Sequence, residues 1–499
     1  MSDAPKQGAG NLSGRTAASS GWVGLARILV RLSDFLLLLV LARLLTPADF
    51  GLVTLATAII GILDVLTDIP LTSALIRAER IERRFIDTAF TLGLLRGALL
   101  LALIGALTPA IAALYGDDRL LAVVPVLALG AALRVMQSPG MAHLYKALRF
   151  RESFVMEIGG KIASFGVAVA VALATRSYWA LVLAPVVTQA VSVGLSYVIA
   201  PCRPRLSLAE FGFFWRFMGW LIPAQFAAGV AGQFDRLFLG AVVPKATLGF
   251  FGVANSLAAL VEQSLRKAVT QPLISGFVMV EGQADRLRRG YRMADSAIVL
   301  SALPLYLIAF VFAEQIVAVA LGAGWAPAAP YLQGLALAFL PALMRLPFRP
   351  LAMAAGRTDL VFAVEATALA SRIVALPAGF ALAGVPGLIG GIGVAGVVTA
   401  GAAMEVVRRI CGMSWAAQMQ GTVRAAGPAI VALFVAWHLE RAIAPLTGVP
   451  PMLGLGGATL AFLATFYAGV VLTWLALGRP AGVEAKAVGA IGRRILRNS

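Results

Sequence analysis

Apolar runs of about twenty residues follow one another along nearly the whole chain, separated by short polar connections. Twenty helical residues cover roughly 30 Å, the thickness of a bilayer's hydrocarbon core, so each run predicts one membrane-spanning helix. The runs begin near Ser20, Phe50, Asp87, Leu120, Ser153 and Tyr178, again near Phe217, Thr247, Ala294, Ala329, Leu360 and Pro386, and finally near Val423 and Met452. Alternating strands of about ten residues, the mark of a membrane β-barrel, are absent. The pattern predicts an all-α integral membrane protein of about 14 transmembrane helices. They form two pseudo-symmetric six-helix bundles followed by two C-terminal helices. The expected division is a cytoplasmic tail over 1–19, a first bundle over 20–200, a cytoplasmic linker over 201–216, a second bundle over 217–408, two further helices over 409–478 and a basic cytoplasmic tail over 479–499.

Polar positions add a direction. Basic clusters recur at every second connection: Arg77/Arg80/Arg83/Arg84, Lys146/Arg149/Arg151, Arg203/Arg205/Arg216, Arg286/Arg288/Arg289/Arg292, Arg408/Arg409/Arg424 and Arg479/Lys486/Arg493/Arg494/Arg497. The intervening connections keep Arg119, Arg176, Lys245 and Arg441. Short loops beside membrane spans hold Lys and Arg on the cytoplasmic side, so both chain ends are expected in the cytoplasm. Trp22, Trp179, Trp215, Trp220, Trp325, Trp415 and Trp474 fall near predicted span ends, as interfacial aromatics do. The first apolar run follows a polar tail and continues to Leu45, longer than a signal-peptide core, so no removable signal is expected.

Composition agrees: 60% of residues are hydrophobic, 13% charged, and the mean hydropathy is +0.89. In a soluble chain the formal charge of +17 would point to nucleic acid; here the positive-inside rule accounts for it, and no nucleic-acid partner is expected. Soluble domains are missing, since the longest cytoplasmic connections, 201–216 and 281–293, can hold a helix but no core. Reaction chemistry is missing too. His143 and His438 lie on different segments, so neither a metal site nor a cofactor is expected, and Gly160-Lys161 lacks the rest of a phosphate loop. Cys202 and Cys411 both fall in cytoplasmic connections, where a disulfide is not expected. Asp117-Asp118 is expected to be a solvated turn, and Gly387, Gly390, Gly391, Gly393 and Gly396 to allow close helix packing. The chain is therefore not expected to be an enzyme.

An internal repeat organises the spans. The stretch 41–51, which opens the second helix of the first half, is echoed by 239–249 in the second half at a constant offset of 198 residues. Leu41/Leu239, Ala48/Ala246 and Gly51/Gly249 match, as do Ala56/Ala254 beyond. Two parallel six-helix halves suit a transporter that rocks around a central cavity.

Leu44-Leu45-Thr46-Pro47-Ala48-Asp49-Phe50-Gly51, followed by Asp64 and the run 68–76, resembles the opening signature of the bacterial polysaccharide transporters. These are Wzx-type lipid-linked oligosaccharide flippases, in the superfamily of multidrug-and-toxin extruders and lipid II flippases. Gln233-Phe234-Asp235-Arg236-Leu237 resembles that family's seventh helix, although Pro70 stands where Gly is expected and Ala241 where a basic residue is common. The resemblance implies translocation of an undecaprenyl-pyrophosphate-linked oligosaccharide for exopolysaccharide, O-antigen or capsule synthesis. It also implies membrane lipid, a coupling ion (H+ or Na+), and the polymerase and export proteins of the pathway as partners. A drug or metabolite extruder of the same fold is the alternative; a polytopic polysaccharide polymerase or ligase comes third.

Charges inside spans supply the candidate site, because each centrally placed ion costs about 2.5–3.5 kcal/mol and needs water or a partner. Arg27, Arg31 and Asp34 share a face of the first helix, Asp64 and Asp68 of the second, Glu157, Lys161 and Ser164 of the fifth, and Asn255, Glu262 and Arg266 of the eighth. Arg345 and Arg349 align on the tenth, and Glu365 and Arg372 on the eleventh. Arg96 and Arg134 have no acidic neighbour within a helical turn, which favours a cavity position. The cationic cavity candidates are Arg27, Arg31, Arg96, Arg134, Lys161, Arg266, Arg345, Arg349 and Arg372. The ion-coupling candidates are Asp64, Asp68, Asp235 and Glu365. Two readings stand beside this one: Arg31, Lys161 and Arg266 snorkel to a membrane face, or Asp235 with Arg236 and Glu365 with Arg372 form structural ion pairs. An arginine-rich interior suits a pyrophosphate, whose oxygens guanidinium binds bidentately.

Overall fold

A computed structural model describes residues 33–67, 82–146, 150–212, 221–280, 282–443 and 451–478. All described regular elements are helices. The first half holds α1 (33–44), α2 (Pro47–Leu66), α3 (Arg83–Tyr115), α4 (Leu120–Val135), α5 (Phe150–Thr175) and α6 (Trp179–Ile199). The second holds α7 (Leu221–Val242), α8 (Lys245–Met279), α9 (Ala284–Val311), the broken span α10 (Ala323–Ala354), α11 (358–382) and α12 (385–411), then α13 (Trp415–Ile443) and α14 (Pro451–Ala476). Ten helices among the described residues are long and apolar enough to cross a membrane, so the chain is an all-α multi-pass membrane protein. Their order follows the plan expected from the sequence.

The chain forms two compact units. One runs to Ile222 and includes Arg236–Gly249; the other comprises Pro223–Asp235 and everything from Phe250. In the first unit α5 packs along α6, and α4 packs on α2, α3 and α6. In the second α13 packs along α14 and both meet α9, while α10 packs on α11 and α12.

Local chemistry explains the helix ends. Thr46 caps α2, Pro47 occupies the first turn, and Asp49 closes a capping box: the Thr46 N–H donates to Asp49 Oδ2 at 3.0 Å and the Asp49 N–H to Thr46 Oγ1 at 3.3 Å. Two residues further on, Gly51 packs directly against the start of α8. A Cβ there would lie 1.8 Å from the Lys245 carbonyl oxygen, and one on Gly249 would lie 1.8 Å from that of Pro47. The repeated glycines are thus reciprocal partners, each against the carbonyl four residues before the other.

The 54-residue helix Thr358–Cys411 breaks at Ala383 and at Gly384, whose φ of +61° only glycine adopts readily. Beyond it α12 doubles back on α11: a Cβ on Gly387 would lie 2.0 Å from the Gly379 carbonyl oxygen, and one on Gly391 2.4 Å from that of Ala375. Gly393 and Gly396 approach Ala338 and Pro341 of α10, while a Cβ on Gly390 would meet open space. Four of the five glycines therefore serve helix packing as expected. Of the prolines read as bend points, Pro341 and Pro347 stand at breaks in α10, and Pro223, Pro272 and Pro377 lie inside helices; Pro70 lies outside the described residues.

Helix α9 begins at Ala284, ten residues before its apolar run, because Arg286, Arg288, Arg289 and Arg292 continue the helix beyond the expected membrane face. The linker residues 201–208 form no regular element and are strapped to α3. The Arg205 N–H donates to Asp87 Oδ1 (2.8 Å), the Ser207 N–H to Thr91 Oγ1 (2.9 Å) and the Glu210 N–H to Thr88 Oγ1 (3.2 Å). All three acceptor residues are buried.

Candidate functional site

Each unit carries one intramembrane carboxylate clasped by two arginines. In the first unit Asp64, near the end of α2, accepts from Arg96 of α3 at 2.8 Å and from Arg134 of α4. Arg96 also donates to the Asp64 carbonyl oxygen at 3.2 Å. The two cations differ in exposure: the Arg96 side chain is 6% exposed and that of Arg134 51%. Arg96 and Arg134 are thus not isolated cations, contrary to the expectation from helical spacing. Their partner sits on another helix, where counting within a turn cannot find it.

In the second unit Glu365 of α11 is buried at 6% exposure. Arg345 of α10 reaches it at 3.5 Å and Arg349 at 3.8 Å, with side chains 28% and 36% exposed. These contacts are long for charge-assisted bonds, which prefer about 2.7–2.9 Å. Arg372, which the alternative reading paired with Glu365 along α11, donates to the Ala231 carbonyl oxygen of α7 at 2.6 Å, on the helix that carries buried Asp235. The helix-11 stripe therefore splits between two neighbours, α10 and α7.

Lys161 of α5 donates to Asp34 of α1, so a first-to-fifth helix link stands in the first unit as the Arg372–Ala231 hydrogen bond links eleventh to seventh in the second. The rest of the fifth-helix stripe divides. Ser164 is buried and donates to the Ala184 carbonyl oxygen of α6 at 2.8 Å, while Glu157 is exposed. On the eighth helix Asn255 is buried and Arg266 exposed. Arg27, Arg31 and Asp68 lie outside the described residues. Among the described residues no three His, Cys, Asp or Glu side chains converge as metal ligands would.

Sequence reasoning misplaced Asp117. It is buried, with Arg119 forking onto its two oxygens at 2.9 and 2.8 Å, while Asp118 is exposed. Those hydrogen bonds hold the Asp117 carboxyl below the usual carboxylate range. Arg119 also sits over the Tyr178 ring at 5.9 Å. The signal was present in the text, since a carboxylate two residues before an arginine at a helix start is a short-range pairing.

A helical membrane protein with an intramembrane ion cluster in each of two compact units has the make-up of a transporter. The chain matches the family described as "Polysaccharide biosynthesis protein" over residues 40–330, more than half its length, and belongs to that family, that of the bacterial polysaccharide transporters. It is 22% identical over 360 residues to the lipopolysaccharide biosynthesis protein WzxC of Escherichia coli K12, covering 70% of this chain and 72% of that one. The fold is similar to that of the lipid II flippase MurJ in an inward closed conformation, with a TM-score of 0.70 at 11% identity over 91% of this chain and 99% of that one. It is also similar to an inward-facing multidrug MATE transporter, with a TM-score of 0.63 at 15% identity over 77% and 95%.

Proposed function

We propose that the protein flips an undecaprenyl-pyrophosphate-linked oligosaccharide from the inner to the outer leaflet of a bacterial plasma membrane, by ion-coupled alternating access. The observation that carries this reading is the pair of carboxylate-bridged arginine clusters, with Arg134 half exposed in one and Arg345 and Arg349 partly exposed in the other. Each cluster has two cations on one anion, so a net positive charge is left to meet a diphosphate. A cationic drug would be repelled by the same surplus.

In this reading Arg134, Arg345 and Arg349 fork onto phosphate oxygens, and Lys161, Arg266 and Arg372 add positive potential. Arg96, buried against Asp64, positions that carboxylate. Asp64, Asp235 and Glu365 are the candidate carriers of the coupling ion, since protonating a carboxylate frees its arginines for substrate. Asp68, Arg27 and Arg31 remain candidates on sequence grounds. The sugar's identity does not enter this step, because the clusters address the phosphate.

The test is transport of a defined lipid-linked oligosaccharide in proteoliposomes. Leaflet transfer is expected with an imposed ion gradient, and an Arg134/Arg345/Arg349 triple Gln variant should abolish it. Undiminished transfer by a normally inserted triple variant would overturn the phosphate assignment.

A further inference from the structure

Helix α9 carries a buried carboxyl group that neither charge cluster uses. Asp295 is 3% exposed, and among the described residues nothing donates a hydrogen bond or forms an ion pair to it. The charged and titratable groups on the helices around it are engaged elsewhere or face outward. On α10, Arg345 and Arg349 reach Glu365. On α12, Arg408 and Arg409 hold Glu405, and the Cys411 thiol donates to the Val407 carbonyl oxygen at 3.1 Å. On α14 the Tyr467 hydroxyl donates to the Leu300 carbonyl oxygen, and Arg424 of α13 lines one recess with Leu300. On α8 Arg266 is exposed and Glu262 partly so, and Arg292 of α9 itself is exposed. An ionised carboxylate at Asp295 would have lost its water and gained no cation. A charge buried in that way is neutralised, which for a carboxylate means holding a proton.

The facing helix is short of donors. Gly421 of α13 meets α9 beside Asp295, where a Cβ would lie 2.6 Å from Ser296 Oγ. On either side of Gly421, Gln418 and Thr422 stand one turn apart, and Gln418 Oε1 and Thr422 Oγ1 are buried with no hydrogen-bond partner. The Gln418 amide nitrogen donates to the Met404 and Met413 carbonyl oxygens, both at 3.0 Å. A carboxyl group that keeps its proton supplies a donor to this interface, whereas an ionised one adds only acceptors.

Toward the end expected at the cytoplasmic face the site is sealed. Tyr291, one turn before Asp295, is 2% exposed and stacks on Phe277 of α8 with ring centroids 6.5 Å apart. Both belong to one buried cluster with Val407, Cys411 and Met413. Arg288 ties α9 to the end of α12, its Nε donating to the Cys411 carbonyl oxygen at 2.6 Å.

We propose that Asp295 is a proton-binding site, occupied while Tyr291 and Phe277 close over it and exchanging with the cytoplasm when they part. In the exchange the carboxyl O–H bond breaks, the proton passes to water, and the carboxylate is left hydrated; loading is the reverse. As the loading point of a coupling proton, the site rests on the ion-coupled reading above.

The full chain in lipid is titrated by infrared difference spectroscopy, without substrate. At neutral pH the protonated-carboxyl C=O band should be present in the wild type and lost in Asp295→Asn. A carboxyl region unchanged by that substitution would overturn the site. Asp295→Glu should shift the band and keep it, which decides the matter should the Asn variant not insert. Replacing choline by sodium at fixed pH should leave the band as it is; its loss in sodium would assign the site to a metal cation, and the proton assignment falls. In heavy water the carboxyl of Tyr291→Ala should deuterate several-fold faster than that of the wild type, and an equal rate would remove the plug. In proteoliposomes Asp295→Asn should lose the stimulation of lipid-linked oligosaccharide transfer by a pH gradient. Stimulation equal to wild type would overturn the loading role, while a wild-type chain that transfers nothing defeats the flippase reading and leaves the infrared band to decide the site.

Discussion

At Asp64 two arginines share one carboxylate, and exposure divides their work. Removing one partner of a buried ion pair costs about 3–5 kcal/mol because a charge is left uncompensated, whereas exposed pairs contribute about 0–1 kcal/mol. Arg96→Ala is therefore expected to lower the amount of protein in the membrane. Arg134→Ala should leave abundance near wild type and abolish polymer export, with Arg134→Lys restoring part of it. Immunoblots of membrane fractions beside an export assay separate the two, and loss of protein in Arg134→Ala would reverse the assignment. Asp117 makes a second residue-scale case. Its folded pKa is lowered by Arg119, so the pair's stabilisation is present above the unfolded value of about 3.9 and is lost as pH falls through the depressed folded value. Amide exchange over residues 116–121 should stay protected down to that acidic range, and Asp117→Asn should reduce protection at neutral pH.

At the scale of elements, close approaches set the shape. Gly384 has φ +61° and ψ −140°, a region nearly confined to glycine that costs other residues about 1–3 kcal/mol, so Gly384→Ala should lower the melting temperature measurably by that strain alone. Gly387→Val should cost more, since its Cβ would stand 2.0 Å from a carbonyl oxygen of α11 and the hairpin must open. A smaller loss for Gly387→Val than for Gly384→Ala, measured by thermal unfolding in detergent, would contradict the tight α11–α12 contact. The strap of residues 201–210 is an element held from outside itself, by Asp87, Thr88 and Thr91 on one face of α3. Replacing Thr88 and Thr91 together with Val removes two acceptors at about 0.5–1.5 kcal/mol each. Protease cleavage within the strap should then quicken without loss of the spans.

For the whole molecule, the alternation of basic and neutral connections makes a topology that reporter fusions can read. Fusions after Ala48, Asp118 and Gly324 are expected to report the outer side, and those after Arg83, Arg289 and Arg494 the cytoplasm. A cytoplasmic signal at Asp118 with an outer signal at Arg289 would invert the map. The duplicated halves leave their mark at Gly51 and Gly249, where the repeat meets itself. Either Gly→Leu change would force α2 and α8 apart at their starts. An Ala48→Cys reporter should then label faster with an impermeant maleimide applied from outside.

The all-helical membrane-spanning class, the order of the described spans and the family were legible in the sequence alone. Each depends on local quantities: hydropathy over twenty residues and short runs of text. The packing role of Gly387 and Gly391 was legible for the same reason, because a missing side chain acts on its own backbone. Partnership was not legible. Spacing along one helix left Arg96 and Arg134 without a carboxylate and offered Glu365 to Arg372 as one reading, whereas the fold brings Asp64 to the first two and places Glu365 against Arg345 and Arg349. Ser164 shared the fifth-helix stripe with Lys161 yet turns to α6. A helix fixes which residues share its face but not which neighbour that face meets, and the price of a buried charge is set by the neighbour. Only the tertiary structure therefore decided which charges are paired, and which arginines still reach water.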